Sequence, residues 1–265
     1  MSPFEAKTTI GVIQARVAAE RLPGKILAPL GDVPLLARLW TRIAHSRGIR
    51  EWWLATSDHP SDDVIEAWGF ELGLRVHRGA QRDVLSHFLA IAEETGAEWL
   101  VRVRADDPFL DASLIERLLE ARNEKEGLPP AHGNAALIRQ AAGLRAASTR
   151  LPLGYGAEVV RTTALAQASR TIPDDAFHHR VHVTTWLARD RGLLEVPAPE
   201  DWPDRGSWRW TVDTYQDLAM ARSAFRLFGS EAATIDYPAM VACLDAHPEI
   251  PAMNRHPQAK AMGES

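Results

Sequence analysis

One cysteine, Cys243, stands in 265 residues. That excludes an intramolecular disulfide and any metal site built on several cysteines. No apolar run is long enough to span a bilayer, and no signal-peptide pattern opens the chain. The expectation is a cytoplasmic protein with no membrane partner. Basic residues are scattered: 30 Lys and Arg against 35 Asp and Glu give a net charge of −5, with no block of one sign. Nucleic acid is therefore not an expected partner, and any phosphate binding has to be local. Internal repeats and low-complexity segments are also missing. What remains, 46% hydrophobic and 25% charged residues, is the balance of a globular protein. The length suits one large α/β domain, or such a core with a small appended lobe.

The first half alternates in period. Residues 10–13, 51–55, 74–77 and 99–103 read as short buried strands, and residues 34–45, 61–71, 83–94 and 112–122 as helices. Ser61 and Asp62 suit a helix N-terminus. Repeated β-α units with short connections predict a doubly wound, mostly parallel sheet. A polar Gly/Pro-rich connection follows at 123–134. Beyond it, 144–148, 157–160 and 207–212 read as strands, and 162–169, 175–189, 214–228 and 238–246 as helices. Trp52 and Trp53 point to opposite faces of their strand and are expected to pack in the core.

Three cations follow the first strand: Arg16, Arg21 and Lys25, with Pro23 and Gly24 before the lysine. In open α/β sheets ligands bind beyond the carboxyl ends of strands, where this loop lies. Arg grips phosphate through paired hydrogen bonds and Lys acts as a point charge, so a polyanion such as a nucleoside triphosphate is the indicated ligand. A solvated basic loop fits the same residues. A P-loop does not, because Ala19 and Ile26 stand where Gly and Ser or Thr are needed.

Two aspartates end other strands. Asp106 closes V-R-V-R-A-D-D-P, and Asp213 follows the strand expected at 207–212. A pair of carboxylates joined by substrate phosphates is a usual Mg²⁺ donor set. The competing reading makes Asp106 and Asp107 turn formers before Pro108, and Asp213 or Thr214 a helix cap, with Asp217 completing a capping-box pattern. His178 and His182 share a helical face but lack a third ligand for zinc.

The stretch Gln14, Ala15, Arg16, then Arg21, Leu22, Pro23, Gly24, Lys25 resembles the opening motif of the sugar-acid cytidylyltransferases, Q-A-R-x-x-S-T-R-L-P-G-K. It is most similar to the spore coat polysaccharide branch, a relative of the acylneuraminate and 3-deoxy-manno-octulosonate cytidylyltransferases. Arg78, Gly79, Asp83, Val84 and Leu85 resemble R-G-x-x-x-D-V-L. Asp106 with Pro108 resembles T-G-D-x-P, and residues 212–218 resemble V-D-T-x-E-D-L. Glu158 matches the acid of G-x-D-x-E-V, His182 opens an H-V-T, and the ending H-P-E-I-P-A-M-N-R-H resembles that of the family. The departures are Ala19 and Glu20 for Ser and Thr, and Arg104 and Ala105 for Thr and Gly.

The resemblance implies a Rossmann-like α/β fold of the nucleotide-diphospho-sugar transferase kind over residues 1–265, with a small inserted lobe or dimerisation region about 143–189. It implies transfer of CMP from CTP to an acidic 2-keto sugar, with Mg²⁺ as cofactor and a homodimer as the assembly. Arg16, Lys25, Asp106 and Asp213 would be catalytic, with the metal on Asp106 and Asp213. Gln14, Ala15, Arg16, Arg21, Gly24, Lys25, Arg78 and Asp83 would meet the nucleotide, although Arg78 fits support of the Asp83 helix equally well. Arg104, Glu158 and His182 would face the sugar. The departures leave room for a phosphonate or sugar phosphate acceptor, for a metal-dependent glycosyltransferase of similar fold, or for a non-catalytic nucleotide-binding homologue.

Overall fold

The computed structural model describes residues 8–126, 137–140, 150–189 and 193–255. Its organising strand is β1 (Thr9–Gln14), in which Ile10, Val12 and Ile13 are completely buried. β1 runs parallel to β4 (Glu51–Ser57) on one side and to β6 (Trp99–Arg104) on the other. Beyond β4 lies β5 (Arg75–Gly79), also parallel. Beyond β6 come β8 (Glu158–Arg161), β7 (Leu137–Gln140) and β9 (Leu193–Val196), giving the order β5-β4-β1-β6-β8-β7-β9. Only β8 runs against the rest. A two-strand hairpin, β2 (Pro29–Leu30) with β3 (Val33–Pro34), follows the first loop.

The helices of the first half fall where the periodicity predicts. They are α1 (Leu35–Ile43), α2 (Asp63–Glu71), α3 (Val84–Thr95) and α4 (Ala112–Glu126). Strand alternation divides the core between the two faces of the sheet. Ile10, Val12, Trp53, Ala55, Leu100 and Val160 join α3 on one face, while Ile13, Trp52, Leu54, Val101, Val103 and Val159 pack on the other. Gly11 is needed in β1 because a Cβ there would sit 2.2 Å from the Trp52 ring. Among the described residues no helix is long and apolar enough to cross a membrane.

The second half departs from expectation in two places. Residues 207–212 do not form a strand. Trp208, Trp210 and Val212 alternate inward, but the segment has only one bridge, Leu153 to Arg209. Leu153 carries that bridge: its N–H donates to Trp208 O, and its carbonyl accepts from the N–H groups of Trp210 and Thr211. Gly154, at φ +97°, presses so close to Thr211 that no side chain fits.

The helix expected over 175–189 is likewise broken, into a 3₁₀ turn, a short α6 (His178–His182) and another turn. Val183 ends α6 at φ 60°, ψ −63°, and Thr184 N–H donates to His182 O at 2.7 Å. This is a γ-turn, a strained geometry for a β-branched residue. Complete burial of Val183 with Leu187 and Leu165 offsets the strain. α5 (Thr162–Thr171), α7 (Tyr215–Phe228), α8 (Tyr237–Asp245) and α9 (Glu249–Ala252) complete the set. α4 runs four residues past its expected end, and the strand expected at 144–148 lies outside the described residues.

Candidate active site

The chain leaves β1 for β4 and β5 on one side, then crosses to β6 on the other. Strand order therefore reverses between β1 and β6, where doubly wound sheets open a crevice at their carboxyl edge. The loop after β1 is anchored there from below. Asp62 stands at the N-cap position of α2 as expected, but its side chain makes no capping bond; it accepts from Val17 N–H at 2.8 Å and from the Ser57 hydroxyl, while His59 caps the preceding 3₁₀ turn. Ala15 is buried and its N–H donates to Ala55 O. Gly24 takes φ 71°, ψ 10°, a left-handed turn that glycine adopts without strain. That turn feeds Lys25 inward between buried Leu22 and Ile26.

Lys25 is the centre of a charged cluster. Its Nζ donates to Asp106 Oδ2 at 2.6 Å and to Asp213 Oδ1 at 2.8 Å, and its side chain is only 9% exposed. The two aspartates are tied through the backbone as well, by Val212 N–H donating to Asp106 O. Arg209 and Arg21 both reach Asp213 Oδ2. Burial works against ionisation of Asp213, but the hydrogen bond and charge of Lys25, with Arg21 and Arg209, outweigh it and hold this carboxyl below its usual range.

Capping and clustering fall to different residues. Thr214 and Asp217 form the capping box of α7, leaving the Asp213 side chain to face Lys25. Asp107, not Asp106, takes both hydrogen bonds of Arg104, at 2.9 Å each. Burial pushes Asp107 up to about 6, against the opposing field of Arg104.

A second polar cluster crosses three strands. The pleat puts Gln14, Arg102 and Glu158 on one face, and register sets Arg102 opposite Glu158. Arg102 donates from Nε and Nη2 to Gln14 Oε1, and from Nη1 to Glu158 Oε2 at 2.6 Å. Thr184, just past the γ-turn, donates its hydroxyl to the same Glu158 oxygen. His182 lies close by. Desolvation lowers its pKa, and the charges of Arg102, His178 and Arg16 lower it further. Arg16 is exposed and, among the described residues, makes no hydrogen bond or ion pair.

Two expected nucleotide contacts are engaged elsewhere. Arg78 donates to Ser57 O, His59 O, Asp63 and Glu66, bracing the start of α2. Asp83 caps α3 and pairs with Arg180 at 2.8 Å. His178 and His182 gather no further ligand: among the described residues no group of three or more His, Cys, Asp or Glu is placed to hold a metal ion. Arg102 and Arg209 escape a reading by motif: the partners of Arg102 lie 88 and 56 residues away, and those of Arg209 are reached across an irregular segment and a helix start. The one local signal was an arginine buried inside each apolar segment.

The α/β sheet, with a cation-bearing loop and two aspartates at its reversal point, has a Rossmann-like fold shared with solved cytidylyltransferases. The chain belongs to the cytidylyltransferase family, whose sequence profile matches residues 10–238. It is 29% identical over 245 residues to the spore coat polysaccharide biosynthesis protein SpsF of Bacillus subtilis (strain 168), covering 90% of this chain and 94% of that protein. It is 25% identical over 120 residues to the 3-deoxy-manno-octulosonate cytidylyltransferase of Escherichia coli, covering 45% of this chain and 48% of the enzyme. A cytidylyltransferase structure from Leptospira borgpetersenii superposes with a TM-score of 0.81 at 21% identity, covering 95% of this chain and 99% of that one.

Proposed function

We propose that the protein transfers the cytidylyl group of CTP to a hydroxyl of a small acidic sugar of the 2-keto octulosonic or nonulosonic type, for surface polysaccharide or glycoconjugate synthesis. The observation that carries this reading is Lys25 held between Asp106 and Asp213 at the strand-order reversal. Membership of the cytidylyltransferase family supports CTP as the donor. In the reaction an acceptor hydroxyl oxygen bonds to the α-phosphorus and gives up its proton to solvent, the bond to the bridging oxygen breaks, and pyrophosphate departs.

Positioning and charge account for most of the work. Lys25, Arg21 and Arg16 neutralise the triphosphate and the departing pyrophosphate; Lys25 exchanges a carboxylate for a phosphate oxygen when the nucleotide arrives. Asp106 and Asp213 offer hard oxygens that converge on one cation within 2.8 Å, and no third acid joins them among the described residues. This donor set fits Mg²⁺, with substrate phosphates and water completing the shell. Asp106 and Asp213 would hold the ion, which when bound supplies Lewis-acid polarisation of the α-phosphate.

Gln14 accepts two bonds at its oxygen, so its NH₂ group is the end left to donate to the nucleotide. On the acceptor side, desolvation and the charges of Arg102, His178 and Arg16 favour the neutral form of His182, whose ring can donate a hydrogen bond to an acceptor oxygen. The assembly is a homodimer, which light scattering on the eluting peak tests.

The deciding assay measures pyrophosphate release from each of the four nucleoside triphosphates against 2-keto sugar acids, sugar phosphates and phosphonates. CTP with a sugar acid and Mg²⁺ is the expected active combination. Release with only a phosphate or phosphonate acceptor would move the acceptor class. Consumption of a nucleotide-sugar without pyrophosphate would make the protein a glycosyltransferase, and CTP binding without turnover a non-catalytic homologue.

A further inference from the structure

Asp217 does more than a capping box requires. Its Oδ2 accepts from the N–H groups of Asp213 at 3.0 Å and Thr214 at 2.9 Å, which is the cap. Its Oδ1 is surplus to that cap, yet it accepts from Arg209 Nε at 3.0 Å and from Asn254 Nδ2 at 2.9 Å. All four acceptor positions of a fully buried carboxylate are thus filled. Arg209 then extends its Nη2 to Asp213 Oδ2. Asn254, buried just beyond α9, also donates to Arg209 O at 2.9 Å.

The backbone of Asp213 and one of its side-chain oxygens are therefore both referenced to Asp217, one directly and one through Arg209. The other oxygen, Oδ1, remains directed at Lys25. A bridging guanidinium suits this task because its nitrogens diverge in one plane, which an ammonium cannot reproduce.

We propose that Arg209, Asp217 and Asn254 are positioning residues that fix the Asp213 carboxylate for reaction, and that the turn after α9 thereby belongs to the functional apparatus. The proposal rests on the nucleotidyl-transfer reading only in taking Asp213 to act on the nucleotide.

Arg209→Lys and Asn254→Ala test it, read by steady-state kinetics, thermal unfolding and amide hydrogen exchange at Asp213 and Thr214. For both variants kcat is expected to fall about 10- to 100-fold, with KM for CTP changed by no more than about twofold. Amide exchange at Asp213 and Thr214 is expected to speed up about tenfold in Asn254→Ala, while amides in β1 keep their protection. A lower melting temperature with wild-type kcat would reduce the three residues to stability alone and overturn the proposal. Wild-type kcat in Arg209→Lys would do the same, since charge without the bridge would then suffice. If the wild-type protein turns over no nucleotide, the nucleotidyl-transfer reading fails by itself. The exchange data then decide the clamp, and unchanged rates at Asp213 and Thr214 in Asn254→Ala would reject it.

Discussion

Two polar clusters flank the carboxyl edge of β1, and they are built in opposite ways. The Lys25 cluster is assembled from loops: one cation follows β1, one acid follows β6, and the other precedes α7. Its members are charged, and on the proposed reading a nucleotide or a metal ion would offer each of them a replacement partner. The Arg102 cluster is assembled from strands. The register of β6 with β8 and the pleat of β1 place Gln14, Arg102 and Glu158 before any ligand arrives, and Thr184 locks the end. A loop cluster exchanges partners at little cost to the fold, whereas a strand cluster cannot be altered without leaving a charge poorly solvated inside it. In this protein exchangeable charge and fixed geometry are thus assigned to different parts of one crevice.

The sharpest way to break the comparison is to remove one acid from the loop cluster. Asp213→Ala is expected to reduce Mg²⁺-dependent pyrophosphate release by roughly 10³-fold or more, since on the proposed reading it removes one of the two carboxylates that would hold the ion. Its melting temperature should stay within a few degrees of wild type, because Lys25 keeps Asp106 and Arg209 keeps Asp217. Retained activity with lost stability would return Asp213 to an ordinary helix-start residue.

Arg102→Leu should show the reverse pattern. Glu158 would be left with the Thr184 hydroxyl alone, in a pair whose side chains are only 10% and 19% exposed. A loss of about 3 kcal/mol in denaturant unfolding is expected. Arg102→Lys should recover part of it, and a neutral result for Arg102→Leu would remove the distinction between the clusters.

Lys25→Met is expected to weaken CTP binding about tenfold by calorimetry, the loss of one charge-assisted phosphate contact. In the nucleotide-free protein the same change should tighten Mn²⁺ binding, because the ammonium no longer neutralises the two carboxylates. Movement of both affinities in the same direction would argue against Lys25 and the ion sharing those acids.

The smallest effect lies outside both clusters. His87 is 2% exposed, its Nε2 meets Ala80 O, and burial, with the neighbouring His77, keeps its pKa below 6.5. Above pH 6.5 the ring is neutral in folded and unfolded chains alike. As pH falls through 6.5 the unfolded chain takes up a proton that the buried ring refuses, so stability declines until the folded pKa is reached. His87→Gln should reduce that slope by up to about 1.4 kcal/mol per pH unit, with turnover at pH 7.5 unchanged. An unchanged slope would place the acid sensitivity elsewhere.

Much of the site was legible because its signals are local. Arg16, Arg21 and Lys25 lie on one loop, and Asp106 and Asp213 each end a recognisable segment. Other residues have partners that a motif does not reveal. Arg78 and Asp83 look like ligand contacts in a motif, but their polar atoms are occupied by α2 and by Arg180. Asp62 holds the N-cap position that the sequence predicts, but its side chain ties the first loop to β4. The alternation of Trp208, Trp210 and Val212 is a true burial pattern, but periodicity cannot say whether a neighbouring strand is present to pair with it. Residues 175–189 have helical composition, and only the buried packing of Val183 makes the γ-turn that breaks them tolerable.

The sequence by itself determined the α/β alternation, the cation-bearing loop, and the two aspartates at segment ends. Periodicity and turn chemistry act over a few residues, so they can be read without the fold. Only the tertiary structure decided which charge meets which. Lys25 is 81 residues from Asp106 and 188 from Asp213, and Asn254 is 37 from the carboxylate it helps to hold. Pairings across such distances follow from strand order, register and the docking of the C-terminal turn. Ionic contacts at close range then depend on the last ångström of that packing, which no local pattern encodes.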